Sequence, residues 1–231
     1  CSHYRGFFDA KDAGDFQDTL LDQGYDTSVV GAMAYSTLGY FSDSILSSFL
    51  RLSDAELAGL LFHELSHATV YIKGDTTLNE SFAMVVEEEG LRQWLHQFGR
   101  DDLMQKVQKR KSQRNKVIAM ILQAKAKLLQ IYQSSNSDDE KLHLKSEVFR
   151  QLKQHYWEAR QHVSYSGFDR WMKQPLNNAV LLTIATYNDW MPELTQLFAN
   201  VGRDFRRFYE SVRNLGKLEK KERIEVLKSL M

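Results

Sequence analysis

A mainly α fold is predicted by three features of the sequence. Only 2 prolines occur in 231 residues. Long stretches are rich in Leu, Lys, Gln, Glu and Ala, the residues that lose least on entering a helix. A strongly apolar segment, residues 55–72, carries polar groups at helical spacing in its middle. The length suits one domain, or one domain with a subdomain.

That segment centres on His63-Glu64-Leu65-Ser66-His67. Two histidines four apart lie one turn apart on one helix face, where neutral imidazoles can bind a single zinc ion. Glu64 follows the first histidine and can lean toward the metal without ligating it, placed to take a proton from bound water. Random placement of this composition gives on the order of 0.01 matches to the pattern. The apolar flanks Leu57, Leu60, Leu61, Phe62, Val70 and Ile72 bury the helix, and buried imidazoles need partners. One Zn2+ per chain supplies them.

A catalytic zinc site needs a third protein ligand and an open fourth position. Glu80, in Leu78-Asn79-Glu80-Ser81-Phe82-Ala83, follows a turn at Gly74-Asp75-Thr76-Thr77 and opens a helix through Phe98. Thr77 or Asn79 is the expected cap. An antiparallel helix pair joined this way sets Glu80 opposite the histidines. Glu87, Glu88 and Glu89 read mostly as a solvated face. Glu87 shares a face with Glu80 and Met84, so it can accept the free N–H of a zinc histidine.

Before this core, Asp9 to Gly24 reads as a helix that Gly24 stops. Val29 to Ser36 reads as a short strand, in the place where a zinc peptidase keeps the edge strand that docks an extended peptide. Its candidate substrate-binding residues are Gly31, Ala32, Met33 and Ala34. A turn at 37–43 and a short helix at 44–49 follow, and Ser53 with Glu56 forms a capping box for the histidine helix. Beyond it, Leu103 to Tyr132 and Glu140 to Val163 form a long helical hairpin with a solvated basic face. Asn177 and Asn178 either cap the apolar helix that follows or present amides to a cleft. Tyr187 either packs or donates to an oxyanion, for which Tyr35 and Asn178 are the other candidates. Two amphipathic helices end the chain. The expected divisions are a catalytic core at 1–100, the hairpin at 101–165, and a C-terminal helical part at 166–231.

Lys plus Arg and Asp plus Glu both total 30, so nothing in the charge favours nucleic acid or an anionic membrane. One cysteine excludes an internal disulfide. No apolar run reaches the ~18 residues of a transmembrane helix. The sequence does not disclose an oligomeric state.

These residues resemble a bacterial family of predicted aminopeptidases, helical gluzincin-like metallopeptidases. The marks are Tyr4-Arg5-Gly6-Phe7-Phe8, Ala34-Tyr35-Ser36-Thr37-Leu38-Gly39-Tyr40-Phe41, Phe62-His63-Glu64-Leu65-Ser66-His67, Asn79-Glu80-Ser81-Phe82-Ala83 and Pro175-Leu176-Asn177-Asn178-Ala179. The resemblance implies a zincin-like core with His63, His67 and Glu80 as zinc ligands, Glu64 as general base and a peptide as substrate. It also implies that Cys1 lies inside the usual family sequence. An upstream export signal or lipid anchor is then expected, with the cell envelope or periplasm as location; a processed lipoprotein beginning at Cys1 competes, and the cytoplasm stays open. Two departures stand out. Ala34 occupies the place where well-known zinc aminopeptidases carry a glutamate that holds the substrate's free N-terminus. Met84 occupies the place where thermolysin-like enzymes carry an aspartate. Exopeptidase and endopeptidase action both remain open, as does an inactive zinc-binding scaffold for peptides or proteins.

Overall fold

The computed structural model describes residues 5–31, 52–186 and 189–231. The described residues are mainly helical and include no strand. The helices are α1 (Ala10–Asp22), α2 (Asp54–Thr69), α3 (Thr76–Gln97), α4 (Asp101–Gln133), α5 (Asp138–Arg160), α6 (Asp169–Lys173), α7 (Asn178–Thr186), α8 (Met191–Asn200), α9 (Phe205–Lys217) and α10 (Lys220–Lys228). None is long and apolar enough to cross a membrane. Of the expected edge strand, Val29, Val30 and Gly31 are exposed and without regular structure. Residues 32–36, the turn at 37–43 and the short helix at 44–49 lie outside the described residues.

Two compact units divide the chain, one of residues 1–31 and 106–185, the other of 32–105 and 186–231. This differs from the three-part division expected above. The N-terminal segment groups with the hairpin because Lys145 Nζ donates to Asp26 at 2.6 Å and Asn177 Nδ2 donates to the Thr27 carbonyl at 2.9 Å. The last third is split because its apolar residues face two different cores.

In the first unit, Val117, Ile121, Ala124 and Leu128 recur at helical spacing along α4. They form one core with Val148, Phe149, Leu152 and Tyr156 of α5 and with Leu181 and Ile184 of α7. Ser137 and Glu140 close a capping box at the start of α5. The buried Tyr156 hydroxyl donates to Asp169, which also takes the Arg160 guanidinium at 3.0 Å.

In the second unit α3 is buried on nearly every side, which explains why its sequence lacks a polar stripe. Leu78, Phe82, Val85 and Val86 meet Leu194 and Phe198 of α8, Phe208 and Val212 of α9 and Leu227 of α10. Helix α2 lies along α3 at close range. A Cβ on Gly90 would stand 2.8 Å from the Phe62 ring, so this crossing requires glycine. Ser53 and Glu56 form the expected capping box at the start of α2. The cap of α3 is Asp75, whose Oδ1 accepts the Leu78 N–H at 3.2 Å, and neither Thr77 nor Asn79 serves. Glu89 is buried and held by Arg92 at 2.9 Å and Arg203 at 3.1 Å. It is therefore not part of a solvated face, since a buried carboxylate is retained where cations pair with it.

Candidate metal centre

His63 and His67 occupy the last two turns of α2, and Glu80 the second turn of α3. The short connection brings the three together: one potential ligand atom from each lies within 4.8 Å of the other two. His63 Nε2 is 3.4 Å from Glu80 Oε2, and His67 Nε2 is 3.8 Å from the same oxygen. The imidazole rings meet edge to face at 5.1 Å. All three side chains are largely shielded, at 11%, 11% and 18% exposure.

A tetrahedral metal with bonds of about 2.1 Å sets its ligand atoms roughly 3.4 Å apart. The observed separations are near that edge, and two imidazole nitrogens with one carboxylate oxygen are zinc-type donors. The residues fit such an ion. Among the described residues no fourth His, Cys, Asp or Glu joins the group.

The two histidines sit in opposite electrostatic surroundings. Burial pushes the His63 imidazole down, but Glu80 and Glu87 outweigh it and raise its pKa from 6.5 to about 9. The carboxylates face opposite ring nitrogens, Glu80 at Nε2 and Glu87 Oε2 at Nδ1, the latter at 3.2 Å. Burial lowers the pKa of His67, and neighbouring His63 lowers it further against the pull of Glu80.

Glu64 is half-buried on α2 beside His63 and is not one of the three converging groups. Asn177 and Asn178 belong to the first unit. Asn177 Oδ1 accepts the Val180 N–H and so caps α7, while its amide nitrogen binds the Thr27 carbonyl. Asn178 accepts from the Tyr132 hydroxyl at 2.9 Å and its N–H donates to Asp26. Asn177 thus caps α7, whereas the Asn178 side chain does not. Gly31 is exposed; Ala32, Met33, Ala34, Tyr35 and Tyr187 lie outside the described residues.

Sequence reasoning found Glu87 from its helical register with Glu80. It gave no sign of Arg223, which reaches the start of α3 from α10 and pairs with Asp75 at 2.5 Å.

A family model described as "Putative aminopeptidase" matches residues 1–227. No curated protein and no solved structure matches the chain.

Proposed function

The chain belongs to the family described as "Putative aminopeptidase", and from that membership we propose that it is a zinc-dependent peptidase, acting as an aminopeptidase. The observation that carries the reading is the convergence of His63, His67 and Glu80 within 4.8 Å at the junction of α2 and α3. Three protein ligands leave a fourth position for water or substrate, as catalytic zinc sites do and closed structural sites do not.

His63, His67 and Glu80 would hold the ion. Glu87 accepts the His63 Nδ1 proton, fixing the tautomer that turns Nε2 to the ion. Zinc bound there would supply Lewis acidity, lowering the pKa of water toward about 7 and polarising the scissile carbonyl. Glu64 takes the proton of the attacking water on its carboxylate and passes it to the departing amine. The partial burial of the centre keeps these proton transfers out of bulk solvent.

The test joins metal analysis to a peptide panel. Chelator-stripped protein reloaded with Zn2+ is expected to bind one ion per chain and to cleave fluorogenic peptides with a free N-terminus. Cleavage of N-terminally blocked peptides as well would make it an endopeptidase. Zinc bound with no cleavage of either would leave a peptide-binding scaffold. A protein that takes up no zinc would end the reading.

A further inference from the structure

We infer that Asn79 and Arg223 clamp the α2–α3 loop and thereby position Glu80 against the two histidines. The inference rests on the metal-centre reading above. The loop, residues 70–75, begins three residues after His67 and ends five before Glu80. Any shift of it moves the carboxylate relative to the imidazoles.

Asn79 grips the loop from inside. Its Oδ1 accepts the Ile72 N–H and its Nδ2 donates to the Ile72 carbonyl, both at 2.8 Å. Both backbone groups of one residue are thus paired by one side chain, as a neighbouring strand would pair them. Asn79 is 3% exposed. A buried asparagine is costly to desolvate unless its amide is paired, as it is here. Its two-point contact fits only one register of loop against helix, which an apolar residue would not specify.

Arg223 grips from outside. Its Nη1 donates to Asp75 Oδ2 at 2.5 Å, while Nε and Nη2 donate to the carbonyls of Leu215 and Leu218 at 3.0 Å. Asp75 is the cap of α3, so the guanidinium holds the first turn of the helix that carries Glu80. Ile72 lies between the two grips, so close to α9 that a Cβ on Gly216 would come within 2.9 Å of it. On the other flank of Glu80, the fully buried Ser81 Oγ accepts the Trp190 N–H at 3.2 Å. The carboxylate therefore stands between two polar residues bonded to different backbone segments.

The test measures the Zn2+ dissociation constant of the full chain by chelator competition, beside the melting temperature of the metal-free protein. The visible spectrum of the Co2+ form reports ligand geometry. Asn79→Ala is expected to weaken Zn2+ binding about 10-fold or more, the usual loss when a support of a ligand is removed, and to change the Co2+ spectrum at temperatures where the metal-free variant is folded. Arg223→Met reads the same clamp from its outer end if Asn79→Ala fails to fold. Leu152→Ala, in the core of the other unit, is the control: it should lower the melting temperature and leave the Zn2+ constant and Co2+ spectrum unchanged. Parent-level Zn2+ affinity and spectrum in folded Asn79→Ala and Arg223→Met overturn the clamp alone. A parent protein that binds no Zn2+ overturns the metal reading, and the clamp with it.

Discussion

Glu87 Oε2 lies 3.2 Å from His63 Nδ1, on the side of the ring away from Glu80. Glu87 is two helical turns after Glu80, one turn beyond Met84, so α3 offers both carboxylates from one face. Glu87 thus supplies the histidine partner that Met84 cannot. Glu87→Ala frees the ring to rotate and to change tautomer. Zn2+ affinity is expected to fall about 10- to 100-fold, and Glu87→Gln, which keeps an acceptor, should lose less. Chelator competition on the two variants checks this. Equal affinity in Glu87→Ala and parent would remove Glu87 from the centre.

Glu64 is assigned the proton and no share of the metal. Glu64→Gln is therefore expected to retain Zn2+ at parent affinity and to lose peptide turnover by about 10²- to 10⁴-fold, the usual share of a general base. Metal content and initial rates on one preparation separate the two properties. Parent-rate cleavage would refute the mechanism, whereas lost zinc would make Glu64 a ligand.

Local spacing made the helix pair legible. His63 and His67 share a face by periodicity alone, and Glu80 and Glu87 do likewise. What the sequence concealed depends on partners far along the chain. Asn79 looked like a cap, but the folded loop returns Ile72 to it and Asp75 takes the capping role. Glu89 looked solvated within an acidic run, yet Arg203 reaches it from 114 residues away. Asn177 and Asn178 find Thr27 and Asp26 about 150 residues back. Such pairs leave no periodic trace, because each residue's own neighbourhood is compatible with a surface position.

The pH dependence of zinc binding follows from His63. Its folded pKa in metal-free protein is raised from 6.5 to about 9. The stability it contributes is fully present below pH 6.5 and lost as pH rises through about 9. Zinc needs the neutral ring, so Zn2+ affinity should climb at least tenfold per pH unit across that same window. His67, whose pKa is lowered, adds no proton near neutrality. Calorimetric titration at pH 7.5, in buffers of different ionisation enthalpy, should show at least one proton released per Zn2+, the first from His63 and a further fraction from water bound to the ion. No released proton would mean that His63 is already neutral in the metal-free protein.

Gly90→Ala sets two effects of known size against each other. Alanine in a helix interior is favoured over glycine by about 0.8–1.0 kcal/mol. Against it, the new methyl would stand 2.8 Å from the Phe62 ring, inside any normal contact. Overpacking of that kind costs typically 1–3 kcal/mol, so the net change should be destabilising. The damage should not stay local. Phe62 precedes His63 on α2, and a ring forced away from α3 carries the imidazole away from Glu80. Zn2+ affinity is therefore expected to fall together with the melting temperature. Phe62→Leu in the Gly90→Ala background shrinks the clashing group and should recover part of the affinity even though it removes core volume. Recovery would show that contact between α2 and α3, rather than helix stability, sets the metal site. A Gly90→Ala protein as stable and as tight for Zn2+ as the parent would show that the spacing of the two helices is set elsewhere.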